Sequence, residues 1–290
     1  MRRALVTGAG GALGRALVAR LATAPDWQVV ATGRSPAKPG VEQLDVTCRE
    51  RVVRAIAATQ PDVIFHLAAN FSKDFDEAYD GNVYGSRNLL EALAATGSSG
   101  RLLLIGSAAE YGLVRPEDNP ITEGQPLRPM TVYGLTKAWQ TQLGLLHASR
   151  GADVVIARLF NLRAVGLSES LFVGRVERQI AEVLAGARST IEVGSLDSVR
   201  DYVSAADAVE QILAIATCGI AGNVYHVGSG SPVGMRDLLS SMLAEHGLGM
   251  DLVTDRSPSS SHQGYDVPIA YADMTKTRHL VETWEQYANN

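Results

Sequence analysis

Cysteine is almost missing from this chain. Only Cys48 and Cys218 occur in 290 residues, far apart in sequence. A disulfide-built scaffold is excluded, and both thiols are expected to be small buried hydrophobes in a reducing cytosol. Neither cysteine, nor His147 or His226, has partners at metal-ligand spacing, so no metal is expected. No apolar run is long enough to cross a membrane. The start, Met1-Arg2-Arg3-Ala4-Leu5-Val6-Thr7-Gly8, runs directly into a strand and a glycine turn. That leaves no segment for a signal peptide, and a cytoplasmic protein without a membrane partner is expected. Positive charge is not in excess either: 26 Lys+Arg stand against 31 Asp+Glu, a formal net charge of −5. A nucleic-acid partner, which needs a basic face, is therefore not expected, although a local pocket for one phosphate remains open. Repeats and low-complexity tracts are absent. With 46% hydrophobic and 20% charged residues, the chain has the balance of a globular protein, not a disordered one.

What is present is an alternation of apolar strands and helices. Ala4–Thr7, Gln28–Thr32, Asp62–Leu67, Leu102–Ile105 and Val154–Phe160 are short apolar runs without polar alternation. Helical stretches at Ala12–Ala24, Arg49–Thr59, Asn82–Thr96 and Val132–Arg150 separate them. Strands apolar on both sides imply a parallel sheet covered on both faces, so the sequence predicts an α/β, Rossmann-type doubly wound fold. After Asn161 the rhythm changes: a helix at about Arg175–Ala185, a strand at Thr190–Val193, a helix at Asp207–Thr217, a strand at Asn223–Val227 and a loop at Ser257–Ser261.

Gly8, Gly11 and Gly14 follow the first strand and open the first helix in the spacing G-x-x-G-x-x-G. Missing side chains allow a tight turn and close approach of a pyrophosphate to the helix N-terminus. The alternative, a turn that merely packs helix on strand, is weakened by its place directly after a strand at the start of the chain. The second strand ends in Thr32-Gly33-Arg34-Ser35, without the acidic residue that takes both ribose hydroxyls in NAD-selective sites. Arg34 can pair with a 2′-phosphate, or it is a solvated surface arginine. NADP(H) is the favoured cofactor, with NAD(H) possible.

Tyr133 and Lys137 stand four residues apart, on one face of a predicted helix. A free tyrosine, with a pKa of about 10, is a poor acid–base group at neutral pH, and a nearby cation favours its phenolate. Ser107, at the end of a strand, can hydrogen-bond a reacting oxygen.

Thr7–Gly14, Asp45-Val46, His66-Leu67-Ala68-Ala69, Asn82, Ser107 and Tyr133…Lys137 together resemble the extended short-chain dehydrogenases, the nucleotide-sugar epimerase, dehydratase and reductase group. The resemblance spans nearly the whole chain. It is closest to the GDP-4-keto-6-deoxy-mannose reductase branch, through Ile105–Tyr133, Phe172–Gly186, Val193–Asp207 and Tyr225–Gly230. It implies catalysis by Ser107, Tyr133 and Lys137. Cofactor contacts would come from Gly8, Gly11, Leu13, Gly14, Arg34, Asp45, Val46, Leu67, Ala68, Ala69 and Asn82, besides Tyr133 and Lys137. Substrate contacts would come from Ser107, Ala108, Asn161 and Arg200. His66 would be structural. The implied organisation is a dinucleotide-binding domain of residues 1–161, joined again by 195–228, and a smaller discontinuous substrate-binding lobe of 162–194 and 229–290. A homodimer through Asn82–Thr96 and Val132–Arg150 is implied as well.

Two departures bear on function. Dehydratases of this group carry Asp-Glu after the active serine or threonine, where this chain has Ala108-Ala109, which move no protons; Glu110 comes one position too late. The group's diphosphate arginine before Asp-Val-Pro is replaced at Gln263. The expected activity is NAD(P)H-dependent reduction of a keto group, at C4, on a small-molecule sugar that is nucleotide-linked or a derived amino sugar or glycoside. A 4-epimerase is the second enzyme reading, and a dinucleotide-binding sensor without chemistry is the reading of another class.

Overall fold

The computed structural model describes residues 1–35, 39–255 and 267–288. Its strands are β1 (Arg2–Thr7), β2 (Trp27–Gly33), β3 (Glu42–Gln43), β4 (Val63–His66), β5 (Arg101–Ser107), β6 (Val154–Leu159), β7 (Asn161–Arg163), β8 (Ile191–Val193), β9 (Val199–Ser204), β10 (Val224–Val227), β11 (Pro232–Gly234), β12 (Val253–Asp255) and β13 (Ile269–Ala270). The α-helices are α1 (Ala12–Ala22), α2 (Arg49–Thr59), α3 (Phe75–Tyr79), α4 (Gly85–Thr96), α5 (Val132–Ala148), α6 (Phe172–Leu184), α7 (Ala205–Cys218), α8 (Met235–Ala244) and α9 (Thr275–Ala288).

Seven strands form one sheet in the order β10-β6-β5-β4-β1-β2-β3, with every pairing parallel. The chain winds outward from β1 in one direction and from β4 in the other, as the apolar strand runs predicted. Successive side chains of a strand point to opposite faces. Accordingly, Ala4 and Val6 pack with Leu17, Leu21, Ile212 and Leu280 of α1, α7 and α9. Leu5 packs on the other face with Val52, Ile56 and Leu89 of α2 and α4. All three β1 residues are fully buried, which is why alternation is missing from the sequence. Burying a large aliphatic side chain is worth about 1.5–3 kcal/mol. Gly144 lets α5 lie close on the sheet, because a Cβ there would meet Leu104 Cδ1 at 2.7 Å.

The later part of the chain builds a second core. Val173, Val176 and Ile180 of α6 pack with Ile191, Val193, Leu238, Leu239 and Met242. Strands β11, β9 and β13 form a small sheet that β7 joins through β9, and β12 pairs with β8.

The structure differs from the sequence reading at several places. The expected helix at Asn82–Thr96 is two segments: a π-helical turn at Asp80–Tyr84, then α4. Strand β9 and helices α8 and α9 were not read from the sequence at all. Ser257–Ser261 and Gln263 lie outside the described residues. Among the described residues no helix is long and apolar enough to cross a membrane.

Candidate active site

In a doubly wound sheet the crevice opens where the strand order reverses, here between β1 and β4. A cleft of about 740 Å³ lies there, lined by the glycine turn, the ends of β2 and β4, Ser107, Tyr133 and Lys137.

Gly8 has φ +72°, a left-handed conformation open to glycine, and a Cβ on it would lie 2.6 Å from the Ala68 amide nitrogen. The turn after β1 is thus wedged against the chain leaving β4. A Cβ on Gly14 would meet Ala9 Cα at 2.7 Å, so the helix also needs a bare backbone there. Gly11 is the N-cap of α1 and brings no capping side chain, which leaves the first helical N–H groups to serve an anion. Gly8, Gly11, Leu13 and Gly14 all line the cleft, as do Arg34, Asp45, Val46, Leu67, Ala68 and Ala69. Arg34 is exposed at the end of β2. Asp45 turns its carboxylate on its own loop, accepting from the Thr47 amide at 2.9 Å and the Thr47 hydroxyl at 2.8 Å.

Asn82 is fully buried and lies behind the wall. Its amide donates to Asn70 O at 2.9 Å and Thr136 Oγ1 at 3.0 Å, and its carbonyl accepts from Asn70 N at 2.8 Å. It fastens the loop after β4 to α5, and the π-helical turn places it there. His66 is buried between Thr7 and Ser86. The Ser86 hydroxyl donates to Asn82 O, so His66 Nε2–H donates to Ser86 and Nδ1 accepts from Thr7 at 2.7 Å. Burial lowers its pKa to about 3, with Lys137 adding to the effect, and the ring is neutral.

Helix α5 starts at Thr131, whose side chain accepts from the Gly134 amide at 3.0 Å. Its first two turns carry Tyr133 and Lys137. Lys137 is buried, and its ammonium donates to Ile105 O and, at 2.6 Å, to Gln140 Oε1. Burial lowers its pKa to about 8, which the Glu110 carboxylate partly counters. Burial pushes the Tyr133 phenol well above its ordinary range; a hydrogen bond with Ser107 opposes this and Glu110 reinforces it. The exposed Phe71 stacks on Tyr133, ring centroids 4.6 Å apart and 24° between planes.

Ser107 caps the short 3₁₀ turn Ala108–Glu110, its hydroxyl accepting from the Ala109 amide at 3.2 Å. Ala109 lines the cleft, whereas Ala108 packs against the Tyr111–Val114–Phe160 cluster behind it. Glu110 is completely buried and paired with Arg158 at 2.9 Å. It is sequestered from the cleft and cannot deliver a proton to a ligand.

On the far side Asn161 lines the cleft and donates to Asp201 O at 3.0 Å. Arg200 is on β9 outside the lining, with Nη1 donating to Val199 O at 2.9 Å. Leu162, Leu171, Phe172 and Tyr202 complete an apolar wall. Phe71, Gln140, Arg158 and this wall were not picked out from the sequence. Only Gln140, three residues after Lys137 on one helix face, had a legible signal. Among the described residues no group of three or more His, Cys, Asp or Glu could hold a metal ion.

Comparison with known proteins agrees with this geometry. Over 202 residues the chain is 32% identical to GDP-6-deoxy-D-mannose reductase of Pseudomonas aeruginosa, covering 67% of this chain and 66% of that protein. It is 27% identical to dTDP-6-deoxy-L-talose 4-dehydrogenase (NAD(P)(+)) of Kitasatospora kifunensis, over 92% of this chain and 88% of the relative. The solved structure of RMD from Pseudomonas aeruginosa, complexed with NADPH, superposes with a TM-score of 0.83 at 27% identity, over 97% of this chain and 93% of that one. Residues 4–228, which hold the glycine turn, Ser107, Tyr133 and Lys137, match a family profile as well, and the chain belongs to the NAD dependent epimerase/dehydratase family.

Proposed function

We propose that the protein reduces a keto group on a sugar, at C4, using NAD(P)H. The observation that carries this reading is the convergence of Ser107, Tyr133 and Lys137 on the cleft lined by the glycine turn, with the Glu110 carboxylate beside Ser107 buried against Arg158 and turned away from it. The bare backbone at Gly8 and Gly14 fits a pyrophosphate laid across the turn, and Arg34 at the end of β2 favours a 2′-phosphate, hence NADPH. When bound, the reduced dinucleotide supplies the hydride to the carbonyl carbon.

The protein's own residues handle the oxygen. Ser107 donates a hydrogen bond to it, and Tyr133 gives it a proton as the carbon–oxygen double bond becomes an alcohol. The raised phenol value keeps that proton in place at neutral pH until it is needed. Lys137, at about 8, is largely ammonium at neutral pH and stabilises the phenolate left behind, which regains a proton from solvent. An elimination reaction needs a further acid–base pair, and Ala108-Ala109 offers none. The small core built on α6 and α8 is the substrate lobe in this reading. Two copies associate through α4 and α5, beside which Phe75, Tyr79 and Trp139 form an exposed aromatic cluster.

The test follows NADPH absorbance with GDP-4-keto-6-deoxy-mannose, with NADH as cofactor control. Turnover that falls by about 10²–10⁴-fold in Tyr133→Phe, with NADPH binding intact, supports the reading. Given the corresponding 4-hydroxy sugar in place of the ketone, inversion at C4 without net consumption of NADPH makes the protein an epimerase instead. Normal turnover by Tyr133→Phe overturns the assignment of the proton donor.

A further inference from the structure

The turn that carries Ser107 is held from behind by two charges that the chemistry above does not use. Glu110 Oε1 accepts from the Ser107 amide at 2.7 Å. Glu110 Oε2 accepts from Arg158 Nε at 3.1 Å and Nη2 at 2.9 Å, and both side chains are essentially inaccessible to solvent. Arg158 also donates to the Tyr111 hydroxyl at 2.7 Å, its guanidinium carbon 4.7 Å above the ring. The Tyr111 hydroxyl lies 2.6 Å from His226 Nε2, and His226 Nδ1 lies 2.8 Å from Asp273 O. One assignment satisfies this chain: His226 Nδ1–H donates to the Asp273 carbonyl, and Nε2 accepts from Tyr111.

A buried ion pair is a poor way to stabilise a core, since apolar residues of similar volume do as well or better. Its place explains it. Strand β4 ends at His66, opposite Leu104, so it offers no carbonyl to the amide of Ser107 farther along β5. An unpaired amide there would be costly, and Glu110 supplies the acceptor. The fit is close: a Cβ on Gly106 would lie 2.7 Å from Glu110 Oε1. The same carboxylate and the Ser107 hydroxyl together form a capping box at the start of the 3₁₀ turn.

We propose that Glu110 is a positioning residue for the reduction: held in orientation by Arg158, it grips the Ser107 amide so that the turn presents the serine hydroxyl to Tyr133 and the reacting oxygen. The proposal rests on the assignment of Ser107 and Tyr133 to the chemistry given above. Glu110 itself touches neither substrate nor cofactor.

Two double variants of the full chain separate the grip from the charge. Glu110→Gln/Arg158→Met and Glu110→Leu/Arg158→Met both remove the ion pair whole, so neither leaves an uncompensated buried charge. The glutamine still accepts from the Ser107 amide and the leucine does not. With NADPH and GDP-4-keto-6-deoxy-mannose, kcat of the Leu/Met protein is expected to fall about 100-fold below the Gln/Met protein, the cost of a misplaced catalytic group. KM for NADPH should move by less than about twofold, because the glycine turn is untouched. Adding Ser107→Ala to the Leu/Met protein should cost little more, since residues acting as a unit are not additive. Hydrogen exchange at the Ser107 amide should quicken about tenfold or more in the Leu/Met protein alone. The single variant Glu110→Asp, which keeps the ion pair but shortens the reach, should show an intermediate kcat if either double variant fails to fold. Equal turnover of the two double variants, or full additivity with Ser107→Ala, overturns the proposal. If the wild-type protein does not oxidise NADPH with the keto sugar, the chemical assignment fails first. Amide exchange then judges the grip: an unchanged Ser107 rate in the Leu/Met protein overturns it.

Discussion

Replacing Lys137 by methionine should make the protein more stable while removing its activity. The ammonium is buried, and its pKa falls from 10.5 to about 8, chiefly because burial penalises the charge. The folded-state value lies below the unfolded one, so the unfolded chain binds the proton more tightly. The charge therefore destabilises the fold below about pH 8, and the penalty is relieved as pH rises from about 8 towards 10.5. A fall of that size corresponds to about 3 kcal/mol at neutral pH. Methionine is of similar length and carries no charge. Its cost is the donor lost by Gln140 Oε1, about 1–2 kcal/mol for a buried group left unpaired. Ile105 O keeps its bond from Gln140 Nε2 at 3.0 Å and needs no replacement. The balance is a gain of about 1–2 kcal/mol, which corresponds to about 2–6 °C in Tm for a domain of this size. Thermal unfolding of both proteins without dinucleotide, at about pH 7 and about pH 10, measures it. The gain should be present at the lower pH and shrink or reverse at the higher one. A less stable methionine variant at neutral pH, or a difference that ignores pH, would refute the account of Lys137 as a charge held at the expense of stability. Loss of NADPH oxidation in the same variant would complete the trade-off between stability and activity.

Three further outcomes are expected. Arg34→Ala should raise KM for NADPH about five- to tenfold and leave NADH nearly unchanged, because an exposed guanidinium makes only a modest charge-assisted contact; equal effects on both cofactors would show that Arg34 does not face the 2′-phosphate. Gly8→Ala should cost at least about 1–2 kcal/mol of stability for its left-handed backbone alone, plus the collision with Ala68, and dinucleotide binding followed by fluorescence should weaken more than tenfold; retained affinity would mean the turn relaxes without harm. Phe71→Ala should let water reach the Tyr133 phenol and bring its pKa down towards the ordinary 10, seen by comparing spectrophotometric titrations of the variant with and without Tyr133→Phe; an unmoved transition would show that the stacked ring does not shield the hydroxyl.

Where the sequence carried a local signal, it determined the outcome. Strands apolar on both sides demand a sheet covered on both faces, so the parallel sheet follows from runs such as Ala4–Thr7 and Leu102–Ile105. Glycines at positions 8 and 14 stand where side chains would collide, and Tyr133 and Lys137 share a face because a helix turns every 3.6 residues. What depended on groups distant in sequence was decided only by the tertiary structure. Glu110 looked like a misplaced acid, yet its neighbour is Arg158, 48 residues on, and their pairing withdraws it from the cleft. Asn82 was read as a cofactor contact, yet it bonds Asn70 and Thr136 behind the wall, because a π-helical turn rotates it there. Phe71 carries no motif, and only the fold brings it onto Tyr133. Local spacing fixes which side chains share an element; long-range packing and burial fix which charges survive, which hydroxyls keep their protons, and which residues reach the cleft.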